Sequence, residues 1–309
     1  MEFRRNIEDK LKAWSQSPFR KPLVLRGARQ VGKTTAVKQF AVNYEQFIYL
    51  NLETDDAKSF EGERDIHKIV DRIFFLKDGE KGKADTLIFI DEIQEVPSAL
   101  NMLRYFYEEY PEYHVIAAGS LLESLFDRDV SFPVGRVDYL YMYPFTFGEF
   151  LEALGERNAL NAYRQVPVPD YAVDKLMQLF HTYTLVGGMP EAVYRYVVTK
   201  DLSQVKPVYD SLLLSYLDDV EKYAKTTNQM QVMRHCIRSC FAEAGERIKF
   251  AGFGESAYSS KEVGEAMRTL RKALILHLTY PTTQTMLPFT PDIKRSPRLQ
   301  VLDTGMLNY

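Results

Sequence analysis

Cysteine is scarce in this chain. Among 309 residues there are two, Cys236 and Cys240. Two thiols cannot build the disulfide framework that holds small secreted domains together. They stand four apart on an expected helix, and the adjacent His235 projects elsewhere, so no metal site is read from them. Two ordinary reduced thiols of a cytoplasmic protein are the expectation. Long apolar runs are missing too. No stretch approaches the roughly 20 residues of a membrane span. Met1-Glu2-Phe3-Arg4-Arg5 leads into a charged amphipathic helix with no apolar signal-peptide core. No membrane association is expected. Charge of one sign is not in excess either. There are 39 Lys and Arg against 42 Asp and Glu, a net charge of −3. A global basic field of the kind that attracts nucleic acid is therefore absent, although a local basic patch is allowed. Internal repeats and low-complexity tracts are also lacking.

What is present is concentrated near the start. Gly27-Ala28-Arg29-Gln30-Val31-Gly32-Lys33-Thr34 fits G-x-x-x-x-G-K-[ST], the pattern of a phosphate-binding loop. The apolar run Pro22-Leu23-Val24-Leu25 reads as a buried strand entering it. Thr34 to Tyr44 reads as a helix leaving it, with Val37, Phe40 and Ala41 at helical spacing. Glycines let backbone N–H groups turn inward around phosphates, and a helix N-terminus adds a positive dipole end. Lys33 would reach the β- and γ-phosphates, and the Thr34 hydroxyl would ligate Mg2+. A second motif, Thr86-Leu87-Ile88-Phe89-Ile90-Asp91-Glu92, is an apolar strand ending in two carboxylates. Such a strand belongs in the middle of a parallel sheet. Acids at its C-terminal end lie where open α/β sheets bind ligands. Asp91 would hold Mg2+ through its water shell, and Glu92 would polarise an attacking water.

The first half of the chain alternates strands with helices. Strands are expected at Phe47–Leu52, His114–Ala118 and Val137–Tyr143, besides those flanking the two motifs. Helices are expected at Ile66–Leu76 and Ser98–Tyr110. This alternation predicts an α/β fold, a doubly wound parallel sheet of five strands. From Thr146 the pattern turns helical, with helices at about Thr146–Leu154, Tyr171–Leu185, Pro190–Val198 and Leu202–Ala224. From Gln229 a helix, a glycine-rich loop, a second helix opened by Ser259-Ser260 and the strand Ala273–Tyr280 suggest a winged helix. Its hairpin is expected to close at Pro281-Thr282-Thr283. Asp292-Ile293-Lys294 matches a bare nuclease pattern, but its proline neighbours mark a loop.

These residues resemble the AAA+ branch of P-loop ATPases. Within it the chain is similar to a prokaryotic family that joins such an ATPase to a C-terminal restriction-endonuclease-like domain. Six stretches carry the resemblance: Gly27 to Thr35; Phe89-Ile90-Asp91-Glu92-Ile93-Gln94; Ala118-Gly119-Ser120; Gly135-Arg136 before Tyr143-Pro144-Phe145-Thr146-Phe147-Gly148-Glu149-Phe150; Gly187-Gly188-Met189-Pro190-Glu191; and Leu299-Gln300-Val301-Leu302-Asp303-Thr304-Gly305. The resemblance implies an ATPase core over 1–150, a helical lid over 151–225, a winged-helix domain over 226–282, and the start of a truncated C-terminal domain over 283–309. It implies ATP and Mg2+ as cofactors, with Gly27, Ala28, Arg29, Gln30, Val31, Gly32, Lys33, Thr34 and Thr35 around the phosphates and Pro190 against the adenine. Ser120 takes the sensor-1 position, with a helix N-cap as its alternative. Arg136 takes that of an arginine finger acting in a homo-oligomer, with a surface arginine paired to Asp138 or Asp129 as its alternative. Arg128 is the weaker finger candidate.

Three functions compete at this stage. One is a switch or motor ATPase in which Glu92, Lys33, Ser120 and Arg136 drive hydrolysis. Another is a DNA-binding regulator whose nucleotide site gates conformation. Its basic residues would be Lys261, Arg268, Arg271 and Lys272, diluted by Glu262 and Glu265. The third is a small-molecule kinase, against which the Asp91-Glu92 pair favours water as the nucleophile.

Overall fold

The structure is a computed structural model, described for residues 3–60, 62–63, 65–119, 135–224 and 226–309. Contacts divide the chain into two compact units, Arg4–Tyr143 and Pro144–Tyr309, the second joined by Phe3.

The first unit runs α1 (Asn6–Ser15), β1 (Leu23–Arg26), α2 (Lys33–Ala41), β2 (Gln46–Asn51), α3 (Ile66–Leu76), β3 (Thr86–Asp91), α4 (Pro97–Glu109), β4 (His114–Gly119) and β5 (Asp138–Tyr141). Its sheet has five strands in the order β2-β3-β4-β1-β5, and every pairing is parallel. Burial follows position in the sheet. All six residues of β3 are buried, as a strand covered on both faces requires. The edge strands β2 and β5 alternate instead. Helix α3 buries Ile66, Ile69, Val70 and Ile73, the stripe its spacing predicts, against Ile48, Leu50, Ile88 and Ile90 of the sheet. Each such side chain contributes about 1.5–3 kcal/mol through burial. Asp65 caps α3 by accepting from the His67 N–H at 2.9 Å. The strand order places β4 between β1 and β3, so the segments leaving β1 and β3 flank a crevice over the end of β4. Chain order reverses here, which is where open α/β sheets take ligands.

The second unit contains α5 (Phe147–Ala153), α6 (Arg157–Tyr163), α7 (Asp170–Val186), α8 (Pro190–Thr199), α9 (Lys206–Tyr223), α10 (Thr227–Ser239), α11 (Ser260–Lys272), β6 (Leu276–Thr279) and β7 (Arg298–Val301). A Thr146–Glu149 capping box opens α5. Helix α6 is unexpected from the sequence. It spans seven residues after the left-handed Gly155, too few to show a helical period.

The strand partner of β6 differs from expectation. No tight hairpin forms at Pro281-Thr282-Thr283; β6 pairs antiparallel with β7, Leu276 opposite Val301 and Thr279 opposite Arg298. A tight hairpin needs residues at ease with positive φ, which this tripeptide lacks, and Pro281, Pro288 and Pro291 bring no N–H to a ladder. A further backbone run joins the other edge of β7: the Gly245 N–H donates to Leu299 O, Leu299 N–H to Glu246 O, and Ile248 N–H to Pro297 O. Strand β7, within residues 283–309, thus lies between β6 and this run. Asp292-Ile293-Lys294 is a turn in which the Lys294 N–H and the Arg295 guanidinium both donate to Asp292. Cys236 and Cys240 are buried free thiols whose pKa burial pushes up to about 12. Among the described residues no three His, Cys, Asp or Glu side chains cluster as metal ligands, and no helix is long and apolar enough to cross a membrane.

Three of the conspicuous sequence motifs meet at one buried knot. The Asp303 carboxylate accepts from the Gly188 N–H at 2.6 Å, the Tyr209 hydroxyl at 2.6 Å and the Gly305 N–H at 2.9 Å. The Phe145 N–H donates to Gly188 O at 2.6 Å. Gly187 has φ +77°, and a Cβ there would stand 2.1 Å from both Asp303 Oδ1 and the Tyr209 hydroxyl. Gly187→Ala should therefore destabilise the second unit by about 2–4 kcal/mol, since backbone strain and steric clash act together. Gly148→Ala is the control, because its Cβ would meet only side-chain atoms at 3.5 Å or more. Urea unfolding of the two variants checks this; equal midpoints would contradict it.

Candidate functional site

The loop after β1 is shaped by its neighbours as much as by its own residues. Gly27 lies against the end of β5: a Cβ there would sit 2.5 Å from Met142 O, and the Met142 N–H donates to Arg26 O at 2.7 Å. Gln30 (φ 62°) and Gly32 (φ 95°) take left-handed conformations. Together they turn the chain into α2, whose N-cap is Gly32. Arg5 braces the outside. Its guanidinium donates to Val31 O at 3.2 Å and to Tyr143 O at 2.8 Å, and it is 6% exposed. No local pattern signals this role, because Arg5 meets partners 26 and 138 residues away.

Lys33 is 6% exposed, and its ammonium donates to the loop's own carbonyls, Gly27 O and Ala28 O, at 2.9 Å each. Burial pulls its pKa down to about 8, against the opposing pull of Glu92 and Asp91. Ala28 and Val31 are buried, Arg29 and Thr34 are intermediate, and Thr35 faces out.

The acidic strand comes to the same place. The Thr34 hydroxyl donates to Asp91 Oδ2 at 2.7 Å, and the Tyr49 hydroxyl reaches the same oxygen at 3.3 Å. Asp91 is 3% exposed. A hydroxyl and a carboxylate oxygen converging beside a phosphate loop suit a hard divalent cation such as Mg2+, which takes oxygen ligands and few of them from protein. Glu92 follows with φ 51° and ψ 44°. Burial raises its pKa, opposed by a hydrogen bond from Gln94 and by Lys33. Tyr49 and Gln94 escaped the sequence reading: β2 offers no motif, and Gln94 sits on a short turn without periodicity.

The remaining candidates lie elsewhere. Ser120 follows Gly119, the last residue of β4, and is outside the described residues, as are Arg128 and Asp129. Arg136 precedes β5 and is 44% exposed at its side chain. It pairs with Glu108 at 2.9 Å and not with Asp138, which instead accepts from the Lys21 N–H. Parallel β5 runs from Asp138 beside Leu23 to Tyr141 beside Arg26. Arg136 thus stands at the end of the sheet opposite its own loop. Pro190 opens α8 in the second unit.

Comparison with known proteins agrees with this geometry. Residues 19–151 match the family model described as an AAA domain, and residues 177–309 match one described as a domain of unknown function (DUF8612). No curated protein sequence matches the chain. Among solved structures, the Walker-type ATPase of Pyrococcus abyssi superposes over 99% of this chain and 95% of its own, with 15% identity and a TM-score of 0.61. The RuvB Holliday junction branch migration motor of Thermotoga maritima covers 90% of each chain at 15% identity, but its TM-score is 0.39. The Aeropyrum pernix ORC1 protein in complex with DNA covers 98% and 90% at 12% identity, with a TM-score of 0.36. Only the first of these scores describes a shared fold. Residues 19–151, most of them in the first unit, are thus similar to an AAA domain, and the chain shares its fold with that Walker-type ATPase.

Proposed function

We propose that this chain binds ATP with Mg2+ and hydrolyses it, working as a switch or motor. The observation that supports this best is the 2.7 Å hydrogen bond from Thr34 to Asp91, which joins the loop to the acidic strand. Thr34 and Asp91 would hold the cation, whose chemistry is to neutralise charge on the phosphate oxygens. Lys33 and the N–H groups of the loop orient the β- and γ-phosphates. Glu92 accepts the proton of a water as its oxygen bonds to the γ-phosphorus and the bridging P–O bond breaks, leaving ADP and phosphate. Positioning and electrostatics supply the catalysis, with no covalent intermediate. Phosphate release from ATP, present with Mg2+ and lost with a chelator, tests the reading.

Arg136 serves a neighbouring copy in this proposal. Arg136→Ala should leave ATP affinity within about twofold and lower turnover by about 10³-fold or more, the lower end for arginine fingers. Mixed with Glu92→Gln subunits it should recover activity, because some sites then combine Glu92 of one subunit with Arg136 of the next. No recovery in an assembly shown to exchange subunits would make Arg136 a surface residue tied to Glu108.

A second reading, a DNA-binding regulator, is favoured by one observation. Helix α10, the run 245–248, the short turn at Phe253–Glu255, α11, β6 and β7 follow one another as in a winged helix. Arg247 and Arg298 stand opposite each other on its sheet, and Lys261 and Arg268 are exposed on α11 beside Glu265. If DNA is the partner, duplex affinity should fall log-linearly with salt, at a slope of about −0.9 per phosphate contact. Arg268→Ala should weaken that binding without changing basal ATP turnover. Binding that ignores salt would remove this reading.

A further inference from the structure

We infer that Gln94 is the positioning residue for the hydrolytic step, its amide N–H holding the Glu92 carboxylate so that one oxygen is presented to water. This rests on the reading of Glu92 as the base. The turn after β3 is built for the contact. Glu92 adopts the left-handed conformation, uncommon for any residue but glycine, and the turn Ile93–Glu95 follows at once. The reversal brings the Gln94 side chain back onto its neighbour. Gln94 Nε2 donates to Glu92 Oε2 at 2.6 Å, while a weaker contact to Glu95 Oε1 spans 3.5 Å. A short bond to an ionised acceptor is among the stronger hydrogen bonds in proteins. The amide cannot be turned over, because its oxygen would then face a carboxylate that only accepts. At the other end, Asp91 Oδ1 accepts the Glu92 N–H at 3.1 Å. Glu92 is thus held at its backbone and at one carboxylate oxygen, and Oε1 is the oxygen that Gln94 leaves unengaged.

The rest of Gln94 shows that packing does not explain it. The residue is 8% exposed, and its Oε1 is buried with no hydrogen-bond partner. An unpaired buried amide oxygen opposes folding. Leucine or methionine would fill the same volume without that cost. What glutamine adds is the N–H on Glu92. Orientation matters here because a reacting group misplaced by about 1 Å loses roughly 100-fold in rate.

The test is steady-state ATP turnover by the full chain, with ATP affinity measured separately by calorimetry. Gln94→Leu, and Gln94→Met as the second variant, should lower kcat by about 10- to 100-fold and leave ATP affinity within about twofold. In a Glu92→Gln background the same change should alter kcat less than about twofold, since the group it positions is gone. A packing role predicts something else: a lowered thermal midpoint and the same fractional loss in both backgrounds. Unchanged kcat in the better-folded of the two variants, equal losses in both backgrounds, or affinity falling in step with kcat would each overturn the inference. The two readings fail separately. If Glu92→Gln turns over like wild type, the base assignment falls. If Glu92→Gln is slow while Gln94→Leu is silent, only the positioning role falls.

Discussion

Glu92→Gln is expected to bind Mg-ATP as tightly as the parent chain and to turn it over about 10²- to 10⁴-fold more slowly, the range for removing a general base. Its shape is kept, and the introduced amide still offers an oxygen to the Gln94 N–H that now meets Glu92 Oε2 at 2.6 Å. The left-handed turn therefore has no reason to rearrange. What disappears is the ability to take a proton from water. Affinity should be spared because the phosphates would be held from the opposite side of the crevice, by Lys33, Thr34 and the N–H groups of the loop. Equilibrium binding and single-turnover phosphate release, measured on the same preparation, separate the two quantities. Turnover at the parent rate would show that Glu92 is not the base.

Lys33→Ala should act on the other quantity. In the proposed function, loss of the ammonium removes the positive charge that Lys33 would bring to the β- and γ-phosphates. Charge-assisted hydrogen bonds are worth about 1.5–3 kcal/mol each, so losing two weakens ATP binding by roughly 100-fold or more. The substitution also leaves Gly27 O and Ala28 O without the donor they share, each now 2.9 Å from Nζ. A modest loss of stability should accompany the loss of affinity. Circular dichroism on the free protein separates them: a folded variant with weak binding is the expected outcome. Unchanged affinity would detach the loop from nucleotide binding altogether.

How much of this could be read from the sequence depends on the range of the interaction concerned. The parallel strands announced themselves because a strand buried on both faces must be apolar throughout, as Thr86–Asp91 is nearly throughout. The phosphate loop and the two acids were visible because their chemistry demands fixed spacings. What escaped depends on single contacts between distant residues. Nothing near Arg5 hints that it braces Val31 and Tyr143. Nothing near Leu299 hints that its strand is the partner of β6, with a proline-bearing connection between them. Arg136 was rightly placed before the fifth strand, yet its partner proved to be Glu108 on α4, because a neighbour in space had to compete with Asp138, a neighbour in sequence. Gln94 was quoted within a motif and given no role, since a two-residue reach across a left-handed turn has no periodic signature.

The knot at Asp303 bears on how the chain acquires its shape during synthesis. A ribosome releases residues in order, and the Gly187-Gly188 turn emerges more than a hundred positions before the carboxylate that satisfies the Gly188 N–H. Throughout that interval the nascent second unit has helices without their fastening, and β6 lacks its partner strand. The sheet of the first unit, in contrast, has all five strands once Tyr141 is out. Folding during synthesis is therefore expected in two stages, the second completed only once Asp303 has left the ribosome. A chain truncated before Asp303 should expose its α7–α8 turn to protease, and the full chain released from the ribosome should not.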